Sequence, residues 1–343
     1  MKAAILYGKE QIQIEEVSPR PLQPGEARIA IHAALTCGTD LKVFKRGYHA
    51  KMIVPPAAFG HELAGEICEV APDAGEWRVG DRVTVANSAP CGDCPSCRQG
   101  QENLCDDLIF LNGAYAESIV VPARLVEKNL LRLKPETGFP DAALVEPLAC
   151  VAQGIEDLKL RAGQRLLVIG SGPIGLMFAG VARHLGCLVT LAGRGENRLL
   201  AARRLGAGQV VDLGGKLNLV QAVETEASAA FDVVIEAVGK PETSEAAVQL
   251  ARKGGTVNFF GGCPSGTTIS LDIARIHYSS LTLLASFHHT PRAIRRALNW
   301  VESGVIQATD FVDGECPLSR LPELFQSMAT GNRAVKTLIR VRD

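Results

Sequence analysis

Residues 165–180, RLLVIGSGPIGLMFAG, join a short apolar run to a cluster of glycines and then to a helix-like segment. The glycines form the pattern G-x-G-P-x-G, and Pro173 lies near the first position of the predicted helix. Glycines at such a junction let a pyrophosphate approach the backbone N–H groups of a helix N-terminus. The stretch therefore predicts a dinucleotide-binding loop. The residues predicted to bind the cofactor here are Gly170, Gly172, Pro173, Ile174 and Gly175.

The segments that follow repeat the alternation of strand and helix. From about residue 163, apolar runs such as CLVTLAG, QVVDL, FDVVIEAVG and TVNFFGG are separated by helix-like segments, among them PETSEAAVQLARKGG. These runs are nearly continuous in Val, Leu and Ile, which is typical of parallel strands that are buried on both faces and joined by helical crossovers. We therefore predict an α/β doubly wound parallel sheet in this part of the chain.

The first 146 residues have a different character. Short apolar segments, ARIAIHAAL and LAGEICEV among them, are interrupted by turns rich in Pro and Gly, which predicts an irregular, mostly antiparallel β region. The N-terminus, MKAAILYGKEQIQIEE, is interpreted as a first strand. After LTLLAS, one helix (PRAIRRALNWVESG) and a mixed tail complete the chain, and we expect this tail to fold back onto the N-terminal region.

Composition excludes several classes of protein. A length of 343 residues suggests two domains, and 36 Lys and Arg against 37 Asp and Glu argue against a nucleic-acid binder. Apolar stretches stay below the roughly 18 residues that a membrane-spanning helix needs, and the N-terminus lacks the pattern of a signal peptide. We expect a cytoplasmic protein without membrane partners, in which the clustered cysteines among the ten bind metal rather than form disulfides.

Four of the cysteines lie in the segment CGDCPSCRQGQENLC. Cys91, Cys94, Cys97 and Cys105 follow the spacing C-x2-C-x2-C-x7-C, which lets four thiolates converge on one tetrahedral ion. Zinc fits four thiolates, and an iron–sulfur cluster is the alternative. With four protein ligands no coordination position stays open, so we predict a structural zinc that takes no part in the chemistry.

A second group of candidate metal ligands is scattered along the chain. Cys37 lies in TCGTD, His61 and Glu62 lie in FGHEL, and Glu146 lies in VEPLAC. Each motif alone is weak, since a single cysteine is usually a small core residue and Glu146, which precedes a proline, is also suited to capping a helix.

Taken together and in order, the motifs CGTD, GHE, the four cysteines, GAYAE, EPLAC, GSGPIG and RKGGTVNFFG identify a resemblance. The chain resembles the zinc-dependent medium-chain dehydrogenases of the alcohol, sorbitol and threonine type, and the sorbitol (L-iditol 2-) dehydrogenase-like polyol dehydrogenases most. The resemblance implies a GroES-like, mostly β catalytic domain over residues 1–148 and 287–343, with a zinc lobe at about 88–108. It implies a Rossmann domain over residues 149–286.

The resemblance also implies a catalytic zinc, the second of two per chain. Cys37 and His61 are expected to bind it together with either Glu62 or Glu146, and the choice between the two glutamates stays open. Asp40 matches the acid that orients the zinc histidine. Catalytic residues of the family therefore correspond here to Cys37, Thr39, Asp40, His61, Glu62 and Glu146.

Thr39 matches the hydroxyl that bonds the substrate oxygen and passes its proton outward. Liver-type alcohol dehydrogenases end this relay at a histidine three residues further on, where this chain has Lys42, so solvent is the expected proton acceptor. A carboxylate is a harder ligand than a thiolate, and by resemblance it favours polyol or sugar substrates. The residues expected to line the substrate pocket are Tyr48, His49, Leu111, Asn112, Phe287, His288 and His289.

The leading hypothesis is therefore a zinc-dependent oxidoreductase that transfers hydride between a secondary alcohol or ketone, most often a polyol or sugar derivative, and a nicotinamide cofactor. The alternatives are a simple-alcohol dehydrogenase or carbonyl reductase, an NAD(H)-dependent threonine-type dehydrogenase, and a non-catalytic nucleotide-binding relative. A homodimer or homotetramer is expected from the family.

Residues 190–198, TLAGRGENR, bear on the choice of cofactor. Dinucleotide-binding chains usually carry an acid about 20 residues after the glycine loop, where it accepts a hydrogen bond from the ribose 2′-hydroxyl. The corresponding residue here is Gly193, and Arg194 and Arg198 follow it. Arginine binds phosphate well, so we predict a preference for NADP(H) over NAD(H). We further expect aspartate at position 193 to shift the preference toward NAD(H). The alternative is that Arg194 is a solvated turn residue.

Overall fold

The computed structural model describes residues 1–49, 51–215, 218–227, 230–331 and 334–342. Their contacts divide the chain into two compact units. The first unit contains Met1–Ala149 and His289–Asp343, and the second contains Cys150–His288.

The structure has eighteen strands and twelve α-helices over the described residues. The strands are β1 (Lys2–Gly8), β2 (Gln11–Glu16), β3 (Ala27–Leu35), β4 (Ala57–Ala58), β5 (Glu62–Val70), β6 (Arg82–Val85), β7 (Ser88–Ala89), β8 (Ile109–Phe110), β9 (Ser118–Val121), β10 (Leu130–Arg132), β11 (Arg165–Ile169), β12 (Leu188–Gly193), β13 (Gln209–Asp212), β14 (Phe231–Glu236), β15 (Ala251–Phe259), β16 (Thr282–Ala285), β17 (Val312–Pro317) and β18 (Lys336–Arg340). The helices are α1 (Gly38–Arg46), α2 (Pro95–Arg98), α3 (Ala123–Asn129), α4 (Phe139–Ala142), α5 (Val145–Leu158), α6 (Pro173–His184), α7 (Glu196–Arg204), α8 (Leu219–Ala227), α9 (Pro241–Leu250), α10 (Ile273–Tyr278), α11 (Pro291–Glu302) and α12 (Leu321–Thr330).

A seven-stranded sheet forms the centre of the first unit. Its order is β10-β6-β5-β3-β18-β17, and β9 also pairs with β3. The central strand β3 is buried along almost its whole length, because it has neighbours on both edges and the apolar core on its face. The pairing of β18 with β3 is antiparallel. The prediction that the C-terminal tail folds back onto the N-terminal region is therefore confirmed.

The register of this sheet brings distant residues to one end of β3. Leu35, the last residue of β3, is opposite Glu62 of β5 on one side and opposite Leu338 of β18 on the other. The chain therefore leaves β3 at Thr36 between the start of β5 and the start of β18. Side chains from three segments that are distant in the sequence therefore meet at this end of β3.

The second unit is built on six parallel strands in the order β13-β12-β11-β14-β15-β16. Strand β11 comes first in the chain and lies inside the sheet, which is the order of a doubly wound dinucleotide-binding fold. Strand β11 is buried after its first residue and β14 at all but its second, because both faces of the sheet are covered. The α/β fold with a GroES-like β part and a Rossmann sheet is confirmed.

Two local predictions were wrong. The N-terminal segment is a hairpin of β1 and β2, because Glu10 adopts a left-handed backbone with a φ of 59° and reverses the chain. The helix predicted to continue to Gly255 ends at Leu250, and the next residues belong to β15. Arg252 bonds Asp232 of the neighbouring β14, which fixes this segment along the sheet.

Within the described part of the chain, none of the helices combines the length and the apolar character needed to cross a bilayer.

Candidate metal centres and nucleotide loop

Cys37 stands at the N-cap of α1, directly after the end of the β3 segment. Its Sγ accepts a hydrogen bond from the N–H of Thr39 at 3.4 Å. Burial raises the pKa of the Cys37 thiol, and the nearby Glu62 carboxylate raises it further. The helix N-terminus favours a thiolate and so opposes this effect of burial.

His61 is fixed by a buried chain of hydrogen bonds. Its Nδ1 lies 2.9 Å from Oδ1 of Asp40, and the hydroxyl of Tyr115 donates to Oδ2 of Asp40 at 2.6 Å. Because the carboxylate accepts from Nδ1–H, Nε2 is left to act as a ligand. Burial lowers the pKa of His61, but Asp40 and Cys37 together raise it well above its usual value. Gly60 is required beside this chain, since a Cβ there would lie 2.6 Å from the Tyr115 ring.

Glu62 pairs with a buried lysine from the C-terminal strand. The Nζ of Lys336 donates to Oε2 of Glu62 at 2.5 Å and to the carbonyl of Thr36 at 3.0 Å. Side-chain exposure is 0 % for Glu62 and 1 % for Lys336. Burial lowers the pKa of Lys336, but the Glu62 carboxylate outweighs this and raises it, whereas burial raises the pKa of Glu62. This pair was not predicted from the sequence.

The other carboxylate oxygen of Glu62 is buried, and no described residue bonds it. The ligand atoms of Cys37, His61 and Glu62 all lie within 4.8 Å of one another. We call these three residues the Cys37 centre. A thiolate, an imidazole and a carboxylate with an unsatisfied buried oxygen are a donor set that suits zinc. The three residues of the Cys37 centre therefore fit a zinc ion.

Glu146 lies in the first turn of α5 and is also buried, but it is not one of the three groups that converge. Burial raises its pKa to about 7. Its Oε1 lies 3.8 Å from Nε2 of His289, which lies 3.0 Å from Oδ1 of Asn87. The structure thus adds His289 and Asn87 to the surroundings of the acid, and Asn87 was missed in the sequence.

The four cysteines at 91–105, the cysteine lobe, also converge, with their sulfurs all within 4.8 Å of one another. The short helix α2 and one 3-10 turn fold the segment back on itself. Backbone N–H groups of Asp93 and Cys94 donate to Cys91 Sγ and lower the pKa of that thiol to about 6. Burial raises the pKa of Cys97 to about 12. The four donors suit a closed tetrahedral site.

The glycine loop of the second unit connects β11 to α6. Gly170 has a φ of 121°, and a Cβ on Gly175 would lie 1.9 Å from the carbonyl oxygen of Gly170. The loop therefore requires glycine at positions 170 and 175. At Gly172, the N-cap of α6, a Cβ would meet nothing within 4 Å, and no side chain caps the helix. An open helix N-terminus with an uncovered backbone suits a pyrophosphate.

Gly193 ends β12, beside the glycine loop. A Cβ on Gly193 would lie 2.4 Å from Cβ and 2.5 Å from Oγ of Ser171. The Ser171 hydroxyl donates to the carbonyl of Arg194 at 2.7 Å and accepts from its N–H at 3.0 Å. The Arg194 side chain is exposed, and Arg198 is half-buried in the first turn of α7.

The residues predicted to line the substrate pocket fall into two loops of the first unit and one segment of the second. In the first unit, Nδ1 of His49 accepts from the N–H of Met52, and the Asn112 amide donates to the carbonyl of Met52, so the two loops are joined. Tyr48 is exposed in the same loop, and Leu111 is buried.

Phe287 and His288 belong to the second unit, where Phe287 is exposed and His288 is half-buried. His289 belongs to the first unit and is buried beside Glu146.

Both parts of the chain are similar to known protein families. The family description "Alcohol dehydrogenase GroES-like domain" matches residues 23–131, and "Zinc-binding dehydrogenase" matches residues 173–303. D-altritol 5-dehydrogenase of Agrobacterium fabrum is 34 % identical, with 95 % of both chains covered. The chain belongs to the zinc-dependent medium-chain dehydrogenases. It is an oxidoreductase of this family, and the resemblance inferred from its motifs is confirmed.

Other members of the family are similar along the whole length. The sorbitol dehydrogenase of Bacillus subtilis is 26 % identical over 99 % of this chain and 97 % of its own. A zinc-binding dehydrogenase from Sinorhizobium meliloti, whose crystal structure contains NADP, superposes with a TM-score of 0.89 at 28 % identity, covering 99 % of this chain and 98 % of that one.

Proposed function

We propose that this protein is a zinc-dependent dehydrogenase that transfers hydride between a secondary alcohol, a polyol or sugar derivative, and NADP(H). The observation that carries the proposal is the convergence of the ligand atoms of Cys37, His61 and Glu62 within 4.8 Å of one another, together with a buried Glu62 oxygen that has no hydrogen-bond partner among the described residues. The names of the polyol dehydrogenases to which the chain is similar support the substrate class.

The ligands proposed for the catalytic zinc are Cys37 Sγ, His61 Nε2 and Glu62 Oε1. Lys336 keeps the second oxygen of Glu62 engaged, so that the carboxylate presents one oxygen. Glu146 lies next to these ligands and takes a supporting role. Three protein ligands leave one coordination position open, as in catalytic zinc sites. The zinc, when bound, polarises the substrate oxygen, and the nicotinamide exchanges the hydride.

The protein's own groups position the ligands and move the proton. Asp40 and Tyr115 hold His61 in the tautomer that a metal requires. The Thr39 hydroxyl, one residue into α1, is proposed to bond the substrate oxygen and to pass its proton outward. Lys42 is exposed on the same helix, so solvent receives the proton.

The cysteine lobe is proposed to hold a second, structural zinc. Four thiolates satisfy a tetrahedral zinc completely and leave no position for substrate. The lobe therefore stabilises its own segment and takes no part in the reaction.

The cofactor is proposed to bind at the glycine loop of the second unit with NADP(H) preferred. Gly193 carries no acid to repel a 2′-phosphate, and the exposed Arg194 guanidinium offers a planar, permanently charged donor.

A second copy of the chain is the proposed partner. Strand β16 lies at the edge of its sheet, and beside it in sequence Ile273 and Tyr278 of α10 are 71 % and 81 % exposed. An unpaired strand edge with apolar side chains favours pairing with another chain. A homodimer, alone or within a homotetramer, would cover it, and the cytoplasmic location stays a prediction from the sequence.

The test is metal analysis of the purified protein combined with a substrate panel. Two zinc ions per chain are expected, together with oxidation of polyols or sugar alcohols in preference to simple alcohols and amino alcohols. One zinc or none would contradict the catalytic centre. Equal or better kcat/KM with NAD(H) would contradict the cofactor preference, and a preference for simple alcohols would favour the alternative substrate class.

A further inference from the structure

Position 193 and position 171 are sterically coupled. The nearest atoms to a Cβ on Gly193 are the Cβ, the Oγ and the N of Ser171, at 2.4, 2.5 and 3.0 Å. Contacts below 3.0 Å are not found for real Cβ atoms, and two of these three atoms lie on or near the backbone, where they cannot swing away. Strand β12 is anchored here, since the carbonyl of Gly193 accepts from the N–H of Leu213 at 2.8 Å.

The same serine also fixes the residue that follows. Its hydroxyl makes two hydrogen bonds, one as donor to the carbonyl of Arg194 and one as acceptor from the N–H of Arg194. Ser171 is buried while the Arg194 side chain is exposed. The buried Ser171 therefore fixes the backbone of Arg194, and the exposed side chain extends from this fixed backbone position.

We propose that Ser171 is a specificity-determining residue for the 2′ position of the nucleotide. Its Cβ reserves position 193 for glycine and so excludes an acid that would bind a 2′-hydroxyl. Its hydroxyl holds Arg194 where the guanidinium faces a 2′-phosphate. The inference rests on the proposed preference for NADP(H) and assigns that preference to a pair of residues, 171 and 193, instead of to position 193 alone.

Under this proposal Gly193→Asp alone has a different expected outcome from a simple shift toward NAD(H). Gly193→Asp alone places a side chain into the space of Ser171, so it should displace the glycine loop and weaken both cofactors. A shift toward NAD(H) should require removal of the serine side chain at the same time. The variant Ser171→Gly/Gly193→Asp combines the two changes.

The first experiment measures the steric coupling without any cofactor. Gly193→Ala is introduced into the wild type, into Ser171→Gly and into Ser171→Ala, and the melting temperature of each zinc-loaded protein is recorded. The alanine should lower the melting temperature by several degrees in the wild type and in Ser171→Ala, which keeps the clashing Cβ. It should have little effect in Ser171→Gly. Equal losses in all three backgrounds would overturn the coupling.

The second experiment measures binding of adenosine 2′,5′-bisphosphate and of 5′-AMP by calorimetry. The wild type should bind the bisphosphate more tightly. Ser171→Ala should weaken bisphosphate binding by about tenfold, or 1.4 kcal/mol, since the Arg194 backbone loses the two hydrogen bonds that hold it in position. Binding of 5′-AMP should change little, because it has no 2′-phosphate. The double variant Ser171→Gly/Gly193→Asp should reverse the ratio, and Gly193→Asp should weaken both ligands.

The two experiments separate the two proposals. A wild type that binds 5′-AMP as tightly as the bisphosphate would overturn the NADP(H) preference, whatever the melting temperatures show. A wild type that prefers the bisphosphate, with equal losses from alanine in every background and no effect of Ser171→Ala on binding, would overturn the role of Ser171 alone.

Discussion

The cysteine lobe and the Cys37 centre lie in the same unit, but they draw their ligands from very different distances along the chain. The lobe takes four sulfurs from one segment of fifteen residues, folded by a short helix and a single turn. The Cys37 centre takes its ligands from the ends of two strands, and Lys336, which neutralises Glu62, is 274 residues from it. The lobe is a local structure whose four sulfurs converge within one segment. The Cys37 centre is a product of the whole sheet, and the carboxylate of Glu62 there already has a buried lysine as its hydrogen-bond partner.

The largest expected effect comes from removing a ligand of the Cys37 centre. Cys37→Ala should lower kcat by about 10³-fold or more, since Lewis-acid stabilisation of several kcal/mol is lost. Metal analysis should find one zinc fewer. Cys68→Ala, which changes an exposed cysteine, is the matched control and should keep wild-type kcat. Two zinc ions and a near-normal kcat in Cys37→Ala would refute the assignment.

Lys336→Met tests whether the charges of the Cys37 centre are balanced in advance. The substitution leaves a buried carboxylate without its partner, so the zinc-free protein should lose about 3–5 kcal/mol of unfolding free energy. The zinc-loaded protein should lose less, because the cation can neutralise Glu62. Urea unfolding with and without zinc measures both values.

Lys336→Arg is the control for this prediction, since it keeps the positive charge. It should be the milder of the two variants in the zinc-free protein. Equal losses in the zinc-free and zinc-loaded forms of Lys336→Met would mean that the lysine serves packing alone.

Cys97→Ser tests whether the cysteine lobe is structural and takes no part in the reaction. One zinc should be lost, and the segment at 91–105 should become sensitive to protease. The kcat, normalised to the remaining zinc, should fall by less than about tenfold, because a closed site does not react. The lost stabilisation is about 2.7 kcal/mol where free zinc exceeds Kd a hundredfold. A loss of kcat as large as that of Cys37→Ala would mean that the two centres are not separate in function.

Tyr115→Phe and Tyr7→Phe give the smallest effects and compare the same hydrogen bond in two environments. Each hydroxyl donates to a carboxylate at 2.6 Å, but Tyr115 and Asp40 are buried whereas Tyr7 is exposed. Tyr115→Phe should lower the unfolding free energy by about 1–3 kcal/mol, because a buried acceptor is left unsatisfied. Tyr7→Phe should change it by less than about 0.5 kcal/mol. Equal effects in thermal unfolding would show that burial of the Asp40 chain is not what matters.

This difference in construction explains what could be predicted from the sequence. The spacing of Cys91, Cys94, Cys97 and Cys105 was sufficient to predict a metal cluster, because neighbours in sequence are neighbours in space. For Cys37, His61 and Glu62 the residues alone were weak, and the family resemblance was needed to bring them together. The parallel sheet of the second unit was predicted from its apolar runs alone.

Lys336 and Ser171 were missed for related physical reasons. The position of Lys336 depends on β18 lying beside β3, which is a register that no local pattern specifies. The one available signal was a lysine at the start of the apolar strand KTLIR. Ser171 lies inside the glycine loop, and its contact with Gly193 depends on how closely β11 and β12 pack. The sequence therefore suggested that Gly193 stands in place of a missing acid. In the structure, the space that a side chain at position 193 would need is filled by Ser171.

The return of β18 to the start of β5 has a consequence for the order in which the protein matures. A ribosome delivers the cysteine lobe within the first third of the chain, so its four thiols can meet a metal while the rest is still being made. Glu62 is delivered even earlier, yet its counter-charge, Lys336, follows 274 residues later. The Cys37 centre, which is proposed to hold the catalytic zinc, is therefore completed long after the cysteine lobe during synthesis, and a chain truncated before Lys336 would carry the lobe and lack the Lys336–Glu62 pair.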